Sequence, residues 1–168
     1  MLRKKHNQNG FTLVEMLIAV IILSIGLLGL AGLQITSLKF NYSSEQRTQA
    51  TILAYDMIDR MRANKTLAEA GSYDVAMGDG PAGSVDCRSA ACNPASMATY
   101  DVNQWLCQLG SSDGAAGCLG ITGLLLEGNG SVSRAGSTVT VTISWTDDRT
   151  KAVGDADRTS TLSVSTIL

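Results

Sequence analysis

The chain has 168 residues, of which 45% are hydrophobic and 17% charged, and its formal net charge is −2. Its one histidine is His6, so the chain beyond that point lacks the imidazole that most nucleophilic and many metal-dependent sites use. We therefore expect no enzyme activity, no cofactor and no metal site. The acidic balance also disfavours nucleic acid as a partner, because nucleic-acid binding needs a basic surface.

A long apolar segment follows a basic leader. Phe11 to Leu33 is 23 residues in which Glu15 is the only charge, enough to span a bilayer core as a helix. Arg3, Lys4 and Lys5 precede it, and such a positive flank keeps the N-terminal side in the cytoplasm. We therefore expect one membrane-spanning helix with the rest of the chain in the periplasm.

Glu15 is out of place in that segment. A carboxylate within hydrocarbon costs about 2.5 kcal/mol or more, so it indicates a functional site. If the chain is cut before Phe11, the new amine lies one helical turn from Glu15. That amine, or the amine of a neighbouring subunit, could neutralise the carboxylate. The alternative is a solvated charge at the membrane interface.

The helical pattern continues beyond Leu33 and becomes amphipathic, which predicts one helix over residues 11–64. At 1.5 Å per residue its roughly 54 residues would extend about 80 Å. Its second half, residues 34–64, has an apolar face at i, i+3 and i+4 spacing, formed by Ala50, Leu53, Ala54, Met57, Ile58 and Met61. We expect that face to pack on a globular head.

The head, residues 65–168, is predicted to be α+β. A Gly-, Ala- and Ser-rich loop covers 65–94, and a short helix follows from Pro94 to its C-cap at Gly110. Strict alternation over 138–146 and again over 160–166 predicts an antiparallel hairpin, with a weaker third strand within 123–134. A small antiparallel sheet would then lie against the amphipathic half of the long helix.

Four cysteines, Cys87, Cys92, Cys107 and Cys118, all follow the membrane segment, where an oxidising compartment permits disulfides. Their spacing is not the paired C-x2-C of a zinc site or a redox pair, so we interpret them as structural. Three connectivities are open, and we favour the sequential pairs because each closes a small-residue loop. Carboxylates also crowd the last hairpin, but interleaved Arg and Lys indicate a solvated turn there rather than a calcium site (Asp147, Asp148, Asp155 and Asp157).

The hexapeptide GFTLVE, from Gly10 to Glu15 at the start of a long apolar helix, resembles the N-terminus of type IV pilins and pseudopilins. The resemblance implies that a prepilin peptidase removes residues 1–10 by cutting after Gly10. It also implies methylation of the new N-terminal Phe11 and a role for Glu15 in subunit assembly. Residues 11–33 would then be the transmembrane half of the helix, 34–64 its amphipathic half and 65–168 the periplasmic head.

The head resembles minor pilins of the PilV type, the type IV pilus modification proteins. The similar features are Cys87 and Cys92 before a short helix, the run Asp101 to Leu106 and a strand that ends at Trp145. The resemblance implies a minor pilin that initiates or modifies pilus assembly, first in the inner membrane and then in the pilus. Its partners would be prepilin peptidase, other minor and major pilins, the inner-membrane assembly platform and membrane lipid. The alternatives are a type II secretion pseudopilin and an adhesive binding module at the pilus tip.

Overall fold

The computed structural model describes residues 10–83, 85–110, 118, 120–147, 151, 155 and 158–168. The chain divides into two compact units, Met1–Tyr42 and Ser43–Leu168. Three helices and three strands are described, in the order α1 (Leu13–Ala63), α2 (Lys65–Glu69), α3 (Pro94–Leu109), β1 (Asn129–Ala135), β2 (Thr138–Thr146) and β3 (Thr159–Ile167). The architecture is the α+β arrangement that the sequence predicts.

In the first unit, α1 is an exposed apolar helix. It begins at Leu13, two residues later than predicted, because Thr12 caps it. Among the described residues, only α1 is long and apolar enough to cross a membrane by length and composition, and its most apolar stretch has no buried residue. Burying such a surface requires lipid or other subunits, since apolar groups are driven out of water.

In the second unit, α1 presents one buried face and one exposed face. All six residues of the predicted apolar face are buried, and Gln46 joins them at its N-terminal end. The Gln46 side chain is satisfied there, because its Oε1 accepts a hydrogen bond from the backbone amide of Leu126 at 3.3 Å. The helix ends at Ala63, one residue earlier than predicted.

The prediction of a loop starting at Lys65 is wrong in its first residues, which form the five-residue helix α2. Lys65 and Glu69 are four residues apart and form an ion pair at 3.6 Å, while Ala68 is buried against the core. The Gly-rich composition of the residues after α2 favoured a loop for the whole segment, so the sequence did not indicate this short helix. After α2 the chain contacts β1 through one isolated bridge, Val75 to Val132.

Helix α3 follows its sequence signals. Asn93 caps its N-terminus by accepting a hydrogen bond from the Ser96 amide at 2.8 Å, and Pro94 follows in the first turn. Gly110 ends the helix with φ +99°, a left-handed conformation that favours glycine. The spacing of Val102, Leu106 and Leu109, with Trp105, predicts one apolar face: Trp105, Leu106 and Leu109 are buried, whereas Val102 is half-buried and packs against the core.

The sheet has the order β1-β2-β3 and is antiparallel throughout. The weak third strand begins at Asn129 rather than Gly123. Residues before it lie against the end of α3, where the Leu124 amide donates to the Gln108 carbonyl at 2.8 Å. A Cβ on Gly123 or Gly128 would collide with the backbone of α3, so this segment bonds to the helix instead of extending the strand.

The core lies between the buried face of α1, the apolar side of α3 and the inner face of the sheet. Val139, Val141 and Ile143 supply the inner row of β2, and each is at most 1% exposed. Trp105 is fully buried, and its indole Nε1 donates to the Leu53 carbonyl of α1 at 3.0 Å. This bond satisfies the polar atom of a fully buried tryptophan and joins α3 to α1.

Candidate functional site

The predicted cleavage site lies just outside the helix. Gly10, Phe11 and Thr12 precede α1, and Gly10 is exposed with open space around its α-carbon. The Phe11 side chain is 79% exposed. The peptide bond between them therefore lies outside the helix and is accessible to solvent.

Thr12 caps α1 through its side chain. Its Oγ1 accepts a hydrogen bond from the Glu15 amide at 3.3 Å, and its carbonyl accepts one from the Met16 amide at 3.3 Å. Thr-x-x-Glu, here Thr12 to Glu15, is the sequence pattern of a capping box. Thr12 is thus a residue that sequence reasoning missed although its signal was present.

Glu15 occupies the first turn of α1, where a carboxylate is favoured by the positive end of the helix dipole. Phe11 lies two residues before the helix begins, so helical hydrogen bonds do not hold it one turn from Glu15 in the uncut chain. The interaction of Glu15 with the Phe11 amine stays a prediction for the processed chain. Residues 1–9, with Arg3, Lys4, Lys5 and His6, lie outside the described residues.

The cysteines pair sequentially. Cys87 is bonded to Cys92 in the loop before α3, with Cα atoms 5.4 Å apart. Cys107 of α3 is bonded to Cys118, with Cα atoms 5.3 Å apart. Cys107 and Cys118 are 2% and 6% exposed, whereas the first pair is half-buried. This is the connectivity that we favoured among the three, and it leaves no cysteine free.

A polar cluster joins the end of α1 to α3. Asp101 of α3 accepts hydrogen bonds from Arg60 Nη1 at 3.0 Å and from the Tyr73 hydroxyl at 2.8 Å. Arg60 Nε also donates to Asp56 at 2.8 Å, and Asn64 Nδ2 donates to the Pro94 carbonyl at 2.8 Å. Burial, followed by the hydrogen bond to Asp101, raises the pKa of Tyr73 to about 12. Because each charge is paired, the cluster is built to hold the elements together.

A shallow, mainly apolar groove of about 440 Å³ lies beside this cluster. It is lined by Arg60, Ala63, Asn64, Cys92, Pro94, Met97 and Asp101. Across the part of the chain that the structure describes, no group of three or more His, Cys, Asp or Glu side chains could hold a metal ion. Of the four hairpin carboxylates, Asp148 and Asp157 lie outside that part.

Comparison with protein families gave two matches. Residues 5–31 match the prokaryotic N-terminal methylation motif. Residues 32–103 match a family described as type IV pilin Tt1218. Neither the curated proteins nor the solved structures gave a match. The two matched regions adjoin, and they cover α1, α2 and the first part of α3.

Proposed function

We propose that this chain, which belongs to the type IV pilin superfamily, is a minor pilin of the PilV type that initiates or modifies pilus assembly. The superfamily supplies structural subunits rather than enzymes, and its N-terminal motif fits a membrane-anchored precursor that ends up in a pilus. One observation carries the proposal. The exposed Gly10–Phe11 peptide stands immediately before a capped apolar helix whose first turn contains Glu15.

Processing would proceed at that peptide. Prepilin peptidase cuts after Gly10, which removes the basic leader, and methylates the amine of Phe11. The exposed apolar surface of α1 anchors the chain in the inner membrane before and after cleavage, with residues 65–168 as its periplasmic head. On extraction from lipid, the same surface packs against the helices of neighbouring pilins, so no apolar area returns to water.

Glu15 would direct this step. Its carboxylate is unfavourable within an apolar bundle unless a cation meets it, and processing creates such a cation at Phe11. The Phe11 amine of a neighbouring subunit neutralises Glu15 and fixes the axial position of one helix against the next. The assembly platform of the inner membrane and the other minor and major pilins are the partners that this mechanism requires.

The head supports the minor-pilin part of the proposal. The run from Asp101 to Leu106, by which the head resembles PilV-type proteins, lies in α3 and supplies the core residue Trp105 and Asp101 of the polar cluster. These residues are buried, so they preserve the shape of the head rather than contact a partner directly. A type II secretion pseudopilin would share the N-terminal chemistry. The filament that contains the protein, a pilus or a secretion filament, distinguishes a minor pilin from a pseudopilin.

The test compares intact masses of the protein from cells with and without prepilin peptidase. We expect loss of residues 1–10 and a gain of one methyl group only when the peptidase is present. Gly10→Leu should abolish the change, whereas Gly29→Ala, a glycine with open space in α1, should be processed normally. A leader-bearing mass in peptidase-positive cells would overturn the proposal. Recovery of the processed chain from sheared pili supports a pilin, and its restriction to secretion filaments supports a pseudopilin.

A further inference from the structure

The two edges of the sheet differ. The outer edge of β1 is covered at its middle, where Val75 and Val132 exchange two backbone hydrogen bonds of 3.0 Å, and it carries the charged side chain of Arg134. The outer edge of β3 has no bridging segment and no charged residue of its own: among the described residues β3 pairs only with β2, over nine residues, and Arg62 of α1 reaches it only through a 3.2 Å hydrogen bond from Nη2 to Thr166 Oγ1. Its sequence, TSTLSVSTI, contains no charge and no proline. Proteins usually protect such an edge with charge, proline or a covering segment.

The apolar residues on the inner face of the sheet are less completely buried at the β3 edge than on β2. On the inner face of β2, Val141 and Ile143 are fully buried. Their neighbours on β3, Val164 and Leu162, are only half-buried although they pack on the same core. One more strand beside β3 would cover this row and pair the free backbone groups in the same step.

The sequence of β3 is suited to pair with itself. If a second copy lies antiparallel with Ser163 opposite Ser163, Leu162 faces Val164 on the inner side and Thr161 faces Ser165 on the outer side. Ser160 then faces Thr166, and Thr159 faces Ile167. Every apolar inner residue meets an apolar one, and no like charges meet at the axis. The pairs Thr140–Ser165 (2.9 Å) and Thr142–Ser163 (3.1 Å) show that hydroxyls already pair in this way between β2 and β3.

We propose that the free edge of β3 is a homodimerisation surface, at which β3 of a second copy of this chain adds antiparallel about a two-fold axis through Ser163. The two sheets become one six-stranded sheet with a continuous hydroxyl face and a continuous apolar face. The two-fold axis reverses the direction of the head part of α1 between the copies. The contact joins the heads of two copies of the chain, and it goes beyond a role in assembling one pilus.

Charge substitutions on the outer face of β3 test this register with the full processed chain in detergent, by light scattering and sedimentation. We expect the unmodified chain to associate as a dimer. Thr161→Lys with Ser165→Lys places like charges opposite each other across the axis and should halve the mass, as should the corresponding pair of Glu substitutions. Mixing the Lys and Glu variants should restore a dimer containing one chain of each. The control is Ser131→Lys with Ser133→Lys, on the same face but at the covered edge, and it should remain dimeric.

Cross-linking gives a second measurement, since all four native cysteines are in disulfides. Ser163→Cys should form a disulfide-linked dimer under mild oxidation, and the exposed Ser133→Cys should not. A monomeric unmodified chain overturns the proposal. So does a dimer that survives the paired Lys substitutions, because α1 rather than β3 would then hold it. If Ser163→Cys in cells captures a different pilus subunit instead of its own copy, the edge takes a foreign strand and the proposal is wrong.

Discussion

The hydroxyl of Tyr73 lies 2.8 Å from the Asp101 carboxylate, and Arg60 contacts the other oxygen of that carboxylate at 3.0 Å. Three separate segments therefore meet at one carboxylate, since Arg60 lies in the last turn of α1, Tyr73 follows α2 and Asp101 lies in α3. Tyr73 is 1% exposed, so its hydroxyl proton depends on this acceptor rather than on water, while its oxygen accepts a hydrogen bond from Asn64 Nδ2 at 3.3 Å. The stability of the head should respond to pH through this bond.

Alkaline pH should weaken the head through Tyr73. The pKa of Tyr73 is raised from 10.0 to about 12, so between these values the unfolded chain loses the proton before the folded one does. Stability from this group is complete below pH 10 and is lost as pH rises towards 12, by about 2–3 kcal/mol. The measurement is urea unfolding followed by Trp fluorescence between pH 9 and 11.5. Tyr73→Phe should lower stability at pH 8 but show a shallower alkaline decline, whereas Tyr55→Phe, at an exposed site, should behave as the unmodified chain.

The sequence predicted the fold class because its signals are local and agree with one another. The apolar face from Ala50 to Met61 and the alternation in β2 each bury the residues that they indicate. The C-cap Gly110 likewise ends α3 where its pattern ends. Those elements depend on neighbours within a few positions, which a sequence displays directly.

The parts that could not be predicted depend on distant partners. The residues around Tyr73 give no sign of its hydrogen bond to Asp101, 28 positions away. Those around Leu53 give no sign of its hydrogen bond from the indole of Trp105, 52 positions away. The short helix α2 was missed because one turn has too few residues to show a period. The late start of β1 could not be predicted either, because it depends on a distant partner: Gly123 and Gly128 pack against the end of α3 instead of continuing the strand. Of the candidate site, the sequence named Gly10, Phe11 and Glu15 but not the cap at Thr12.

Replacing Glu15 should separate anchoring from assembly. Glu15→Leu removes a cost of at least about 2.5 kcal/mol from membrane insertion, so cleavage and anchoring should persist. Entry into pili should fail, because a buried partner amine without its counter-charge costs about 3–5 kcal/mol. Glu15→Gln should be milder. The measurement is the amount of each variant in sheared pili relative to the membrane fraction, with Glu45→Gln in the exposed part of α1 as the control. Normal entry of Glu15→Leu would show that Glu15 is only an interfacial charge.

The two disulfides should differ in reactivity. Cys107 and Cys118 are buried in the head, whereas Cys87 and Cys92 are half-buried in a surface loop. A small thiol reductant should therefore open the first pair in the sequence while the second remains closed. Timed reduction, alkylation and peptide mapping would give the order. Simultaneous opening would mean that the head unfolds before either bond is reduced, and crossed peptides would contradict the pairing.

Loop size predicts how much each bond stabilises the head. By chain entropy alone, the bond across 11 positions stabilises by about 3 kcal/mol and the bond across five by about 2 kcal/mol. We expect Cys107→Ser with Cys118→Ser to lower the free energy of unfolding more than Cys87→Ser with Cys92→Ser, since the former also loses buried contacts. Chemical unfolding of the two double variants measures the difference. The reverse order would show that the surface loop, and not α3, limits stability.

Gly130 should not tolerate a side chain. A Cβ there would collide with the ring of Trp105 and with Leu109, both fully buried. Overpacking of this kind costs about 1–3 kcal/mol, so Gly130→Ala should lower the unfolding midpoint and shift the Trp fluorescence. Gly80→Ala is the matched control, because open space surrounds that position. Equal stability of the two variants would contradict the packing described for Trp105.

The bond from Trp105 to the Leu53 carbonyl has a mechanical consequence. The carbonyls of an α-helix all point towards its C-terminus, and each successive one lies about 100° further round the helix axis. The indole can therefore reach the Leu53 carbonyl at only one rotation of the helix about its axis. The bond thus fixes both the rotation and the axial position of this part of α1 relative to α3. A force that rotates or pulls the head part of α1 therefore acts on the hydrogen bond between Trp105 and Leu53 and on the packing of the indole ring. If the helix were rotated by one residue, the indole could no longer reach the Leu53 carbonyl.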